Sequence, residues 1–157
     1  MTPEEKKLFT ALTSSQLMAL TIYGESEGEK FAGKLAVGFV IKNRATLWKK
    51  SIADVCLARN QFECFNDRNA RLPLLVRIAK EFNFNATAFH HCCLAAEGVM
   101  NTDLPSNVGR ATFYKASGCK SPWFDKVVVA GKLVKVAEVG RHEFYEERKV
   151  GDKPCCR

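Results

Sequence analysis

The sequence has no linker, no repeat and no long apolar run. No Pro-, Gly- or Ser-rich stretch divides its 157 residues, so one domain over 1–157 is the expectation. No segment is long and apolar enough to span a bilayer, which argues against stable membrane insertion. The first residues, Met-Thr-Pro-Glu-Glu-Lys-Lys, are charged and lead into amphipathic sequence, so no signal peptide is read there. The seven cysteines include no Cys-x-x-Cys pair and are odd in number, which counts against a zinc knuckle or a disulfide framework. His90-His91-Cys92-Cys93 has suitable ligand types, but neighbours on a helix point about 100° apart, whereas structural zinc ligands come in spaced pairs. The thiols are therefore read as small apolar groups, with no metal and no cofactor; Cys155-Cys156 would pair only in an oxidising setting. Basic residues occur as scattered pairs such as Lys6-Lys7 and Lys49-Lys50, without a basic helix or stripe, so nucleic acid is not the expected partner.

What the chain does have is a 46% hydrophobic composition, enough at this length to build a core without staples. Its 24 Lys and Arg against 17 Asp and Glu give +7 and draw it toward an anionic surface, among which a bacterial wall counts. Helical periodicity fills the front two-thirds. A helix starts at about Ser14, capped by Thr13 and Gln16; Phe31 to Arg44 is apolar on most faces; a short turn runs from Ser51 to Leu57; two amphipathic helices cover Leu72 to Phe84 and Thr87 to Met100. After a loop over Asn101 to Arg110 the pattern turns to strands at Ala111 to Lys115, Lys126 to Val129, Leu133 to Glu138 and His142 to Glu146. Helices followed by a small antiparallel sheet make an α+β fold.

The residues richest in chemistry are Thr-Ile-Tyr-Gly-Glu-Ser-Glu-Gly-Glu at 21–29, where an apolar helix runs into Glu25, Glu27 and Glu29. With Leu17, Leu20 and Gly24 as one stripe, Glu25 falls beside it, between Met18 and Thr21. A carboxyl at the inner end of a buried helix can serve as a general acid. Glu27 and Glu29 flank Gly28 and are expected to face water. Spacing alone leaves open that all three form a solvated turn.

Six segments occur in order: Ile22-Tyr23-Gly24-Glu25-Ser26-Glu27-Gly28-Glu29; Gly33 to Arg44, which reads Gly-x-x-Ala-Val-x-x-Val-Ile-x-Asn-Arg; Asn60 to Asn66; Ala111-Thr112-Phe113-Tyr114; Ser121-Pro122-Trp123; and Gly140 to Tyr145. Together, over about residues 15 to 146, they resemble the cell-wall hydrolase family typified by the spore-cortex-lytic enzymes SleB and CwlJ. The resemblance implies a lysozyme-like fold, a mainly helical lobe with a small antiparallel sheet, related to soluble lytic transglycosylases. It places the family's acid at Glu25, and Glu25-Ser26 matches the Glu-Ser pair of those enzymes. The chain departs from the family at Phe113 and Lys115, where members commonly carry histidines, and no separate peptidoglycan-binding module is expected. That single-domain form resembles bacteriophage lysis enzymes. A monomeric endolysin is the expectation, made in the host cytoplasm and reaching the wall through a holin or in the virion.

Cleaving the β-1,4 bond between N-acetylmuramic acid and N-acetylglucosamine requires a proton on the leaving oxygen. Glu25 is the candidate donor. The resemblance implies that the same residue then deprotonates the muramyl 6-hydroxyl, closing a 1,6-anhydro ring without a second carboxylate. Candidate substrate-site residues are Gln61, Asn66 and Thr112 by hydrogen bonding, Phe62, Tyr114, Trp123 and Tyr145 by their ring faces, Ser26 by holding Glu25 and His142 by orienting a cleft residue. Core packing competes for each aromatic, and structural roles compete for Ser26 and His142. A hydrolytic muramidase would instead recruit Glu63 or Asp67, and a non-catalytic wall-binding or virion protein would have no use for Glu25. The net charge makes one testable prediction: lysis of purified sacculi is expected to slow as salt rises, since the field of a +7 protein is screened over about 8 Å at physiological ionic strength. Rates that stay flat with salt would show that charge does not guide the encounter.

Overall fold

Two helices that are apolar on nearly every face sit at the centre of the chain, and the other helices gather round them. A computed structural model describes residues 1–82, 85–101 and 103–148. The order is α1 (Pro3–Thr10), α2 (Ser14–Ser26), α3 (Phe31–Trp48), α4 (Ile52–Cys56), a 3-10 turn (Glu63–Phe65), α5 (Leu72–Glu81), α6 (Thr87–Asn101), β1 (Phe113–Ala116), α7 (Pro122–Val129), β2 (Leu133–Val139) and β3 (His142–Glu147). Helix α2 buries Leu17 to Gly24 without a break and packs on α3, α4 and α6. A helix hydrophobic all round needs such surroundings. Among the described residues no helix is long and apolar enough to cross a membrane.

Local chemistry sets the helix ends. The Thr13 hydroxyl accepts from the Gln16 N–H at 3.2 Å while the Gln16 side chain accepts from the Thr13 N–H at 3.0 Å, and Ser51 with Asp54 repeats the device at α4. At the other end of α2 the buried Lys34 ammonium donates to the carbonyls of Ser26, Glu27 and Glu29, supplying donors that the helix end lacks.

The sheet is antiparallel in the order β1-β3-β2, with a bulge between Lys135 and Ala137. Because side chains alternate, Tyr114, His142 and Phe144 share one face and Phe113, Lys115, Glu143 and Tyr145 the other. The first face meets the helices, where Phe144 joins the main core. The second is covered by α7, whose Phe124 ring lies edge-on to Tyr145 with centroids 4.8 Å apart. Helix α3 anchors the segment entering β1. The Asn43 amide donates to the carbonyls of Gly109 and Ala111, and Arg44 Nε donates to that of Thr112 at 2.6 Å, its guanidinium enclosed by Trp48, Phe62 and Phe113.

Two expectations are corrected, and one helix is added. Lys126 to Val129 is the end of α7 and not a strand: Pro122 opens a helix, the Asp125 carboxylate accepts from the Ser121 N–H, and Phe124, Val127 and Val128 pack at helical spacing. Three consecutive valines lose to that start signal and to burial. Helix α1 was not foreseen, although Thr2, Pro3 and Glu5 form a capping box with proline at the first helical position. Helix α5 stops at Glu81, with Phe82 left-handed at φ 43°; Phe84, the expected end, lies outside the described residues.

Gly24 permits one close approach. A Cβ there would sit 2.6 Å from Cys64 Cβ and 2.7 Å from its sulfur. Alanine favours a helix over glycine by about 1 kcal/mol, whereas overpacking costs about 1–3 kcal/mol. Cys64 Cβ is fixed to backbone and cannot rotate away, so Gly24→Ala is expected to lower the thermal midpoint. A raised midpoint would show that the 3-10 turn yields freely.

Candidate active site

The contact that Gly24 allows brings the 3-10 turn against the last turn of α2. The Cys64 N–H thereby reaches the Glu25 carboxylate and donates to Oε1 at 2.9 Å. From the sheet, the Tyr114 hydroxyl donates to Oε2, also at 2.9 Å. Tyr114 is held by its stack on Phe144, with centroids 5.7 Å apart and planes 28° from parallel, and by the edge of His142 at 5.5 Å. Burial, then the neighbouring Glu25 carboxylate, pushes the Tyr114 phenol well above 10, so it remains a neutral hydroxyl. A hydroxyl both donates and accepts, whereas a backbone N–H only donates. Oε1 is thus committed as an acceptor, while Oε2 faces a partner suited to either protonation state.

Glu25 opens into a cleft of about 500 Å³. Residues 25–29 and Arg71 line it from the helical side, and Ser117, Glu138, Arg141 and His142 from the sheet. Four of these residues carry carboxylates, and three are in ion pairs. Glu27 meets Arg71 at 3.1 Å and also accepts from the Tyr23 hydroxyl, Glu29 meets Arg141 at 2.7 Å, and Glu138 meets Lys135 at 2.8 Å. Among the described residues, Glu25 is bound by uncharged donors only.

The expectation that Glu27 and Glu29 face water is corrected for Glu29, whereas the Glu27 side chain keeps 41% of its surface exposed. Glu27 is half-buried, and Glu29 is only 8% exposed. Burial pushes the Glu29 carboxyl up, but hydrogen bonds from the Arg141 side chain and N–H, with the charges of Arg141 and His142, outweigh it and leave it below its ordinary value. The turn after α2 folds inward because Gly33 and Gly140 leave room for this side chain.

The remaining predicted site residues divide between cleft and elsewhere. Ser26 and His142 line the cleft with Glu25, and the Ser26 hydroxyl donates back to the Ile22 carbonyl at 2.7 Å. Phe62 is closed off beneath Arg44, and Tyr145 is buried with its hydroxyl donating to Glu143; neither offers a ring face to a ligand here. Thr112 turns its hydroxyl into the interior. Gln61 is half-buried outside the cleft lining, and Trp123 is 59% exposed on α7. Asn66 and Asp67 line a separate depression, where Asp67 pairs with the chain's amino terminus; Glu63 is exposed and also outside the cleft lining. Sequence reasoning missed three groups: the Cys64 N–H, Arg71 and Arg141. Arg141 lay within the Gly140 to Tyr145 segment, but a backbone donor and an isolated arginine carry no sequence signal. The five cysteines among the described residues are unpaired, and no three His, Cys, Asp or Glu side chains there converge as metal ligands. Cys155 and Cys156 lie outside the described residues.

Residues 28–145 match the family model described as Cell Wall Hydrolase. The chain belongs to that family. Its fold is similar to the crystal structure of the catalytic domain of the Bacillus cereus SleB protein, with a TM-score of 0.57 and 25% identity over 85% of this chain and 89% of that one. It is likewise similar to the catalytic domain of the germination-specific lytic transglycosylase SleB from Bacillus anthracis, with a TM-score of 0.58 and 23% identity over 87% and 98%. No curated protein matches the chain. A mostly helical lobe with a three-stranded antiparallel sheet is therefore the family's architecture, and the chain is a cell-wall hydrolase domain acting on peptidoglycan. Glu25 lies just before the first matched residue.

The Glu29 carboxyl makes a pH prediction. Its folded value lies below the ordinary 4.5, so its ion pair contributes stability that is complete above about pH 4.5 and is lost as pH falls through the lower folded value. The thermal midpoint of the native chain is expected to drop in that acid range, and Glu29→Gln is expected to flatten that part of the curve. Identical acid slopes for the two proteins would contradict the assignment.

Proposed function

We propose that this domain cleaves the β-1,4 bond between N-acetylmuramic acid and N-acetylglucosamine as a lytic transglycosylase, with Glu25 serving first as acid and then as base. One observation carries the reading: of the four cleft carboxylates, Glu25 is the one held by neutral donors, and the other three are engaged by Arg71, Arg141 and Lys135. In its protonated form Glu25 gives its proton to the glycosidic oxygen as the bond from the muramyl C1 breaks and positive charge spreads over the ring. The resulting carboxylate takes the proton of the muramyl 6-hydroxyl, whose oxygen bonds to C1. No water is consumed, and Glu25 ends protonated as it began. Tyr114 donates to the carboxylate left after the first proton transfer, while the Cys64 N–H holds the other oxygen still. Membership of the Cell Wall Hydrolase family supports the substrate class. The setting we infer for this cleavage is lysis of a bacterial wall by a bacteriophage enzyme.

Glu25→Gln keeps the shape of the site but can neither give nor retrieve a proton. General acid and base roles contribute about a hundredfold or more each, so turbidity loss on purified sacculi is expected to all but vanish. Near-native lysis by this variant would overturn the assignment. Mass spectrometry of the digest tests the route: 1,6-anhydro ends are about 18 Da lighter than reducing ends, by the water not added. Dominant reducing ends would leave Glu25 as the acid but require water as the nucleophile.

A further inference from the structure

Glu29 is buried where the helical lobe meets the sheet, and it is bound from both sides. Its backbone carbonyl accepts from Lys34, the ammonium that also holds the carbonyls of Ser26 and Glu27. Its carboxylate accepts from Arg141 Nε at 2.7 Å and from the Arg141 backbone N–H at 3.3 Å, in the turn between β2 and β3. His142 Nδ1, the next residue, is 3.9 Å away. An ion pair to a 77% exposed arginine side chain is worth little by itself. The steric fit shows more. A Cβ at Gly33 would sit 2.8 Å from Glu29 Cβ, and one at Gly140, where φ is +60°, would overlap Glu29 Oε2. Two glycines from different elements thus leave the space this carboxylate fills.

The held turn leads directly into the contacts on Glu25. From Arg141 the chain enters β3, where His142 and Phe144 flank the Tyr114 ring, and the Tyr114 hydroxyl meets Glu25. We propose that Glu29 is a positioning residue: it clasps the β2–β3 turn to the helical lobe through Arg141, and so fixes the Tyr114 hydroxyl on the Glu25 carboxylate. The inference rests on Glu25 being the acid.

The test measures rates on solubilised peptidoglycan strands over a range of concentrations for Glu29→Gln, Gly140→Ala, Gly131→Ala, Tyr114→Phe, Glu25→Gln and the double variant Glu29→Gln/Tyr114→Phe. Gly131 is the control, because its φ is +69° but a Cβ there meets nothing within 4 Å. Alanine is thus strained in both turns and touches Glu29 in one only. Misplacement by an ångström can cost up to about a hundredfold, so Glu29→Gln and Gly140→Ala are expected to lower kcat by about tenfold or more, with KM moved by less than about twofold. Gly131→Ala is expected to behave as the native chain. Because Glu29 acts through Tyr114, the double variant is expected to be no slower than the worse single one. Native kcat in Glu29→Gln or Gly140→Ala, equal losses in Gly140→Ala and Gly131→Ala, or multiplicative losses in the double variant would each overturn the clasp. If Gly140→Ala does not fold, Glu29→Gln and the double variant decide. An active Glu25→Gln would instead mean that the acid is wrongly assigned, whatever the other variants do.

Discussion

The Glu25 carboxylate is shared by three elements. It projects from α2 and accepts from a backbone N–H 39 residues on and from a hydroxyl 89 residues on, joining the helical lobe to the 3-10 turn and to the sheet. Each partner depends on a separate packing condition. Cys64 comes close enough because Gly24 lacks a side chain, and Tyr114 is aimed by Phe144, itself anchored in the main core. Asn43 and Arg44 tie the chain entering β1 to α3, so the strand that carries Tyr114 starts from a fixed point. The motif around Asn-Arg therefore acts at a distance from the cleft, by placing β1.

Charge is arranged differently at the surface and in the cleft. The chain as a whole carries +7, yet the cleft gathers Glu25, Glu27, Glu29 and Glu138. Like charges crowded in one site oppose one another's ionisation. Here three of the four are compensated by cations that also brace the walls: Arg71 spans from α5's start to the end of α2, and Arg141 from the hairpin to Glu29. The paired carboxylates hold structure, and the remaining one is left to exchange a proton in the proposed reaction.

Much of the fold was legible because its signals are local. The Thr13 and Gln16 box, the all-apolar α3 and the hairpin strands β2 and β3 follow from neighbours a few residues apart. Helix α7 was misread where β-branched residues compete with a proline start, a contest decided by Phe124 finding Tyr145 and Leu133. The aromatics of the site show the same boundary. Tyr114 and Tyr145 are equivalent as sequence, but the register pairs Tyr114 with Phe144 and Phe113 with Tyr145, sending one tyrosine to Glu25 and the other under α7.

The sequence by itself determined the Thr13–Gln16 cap, the buried central helices, the net charge and the ordered motifs of a cell-wall hydrolase, since each depends on composition, on near neighbours or on the order of segments along the chain. Only the tertiary structure decided which cleft carboxylate, among the described residues, is hydrogen-bonded by uncharged donors, that Glu29 turns inward and that Phe62 is sealed beneath Arg44. Those outcomes depend on partners as far as 112 residues away along the chain, and such separations become contacts only when the lobe and the sheet close on each other.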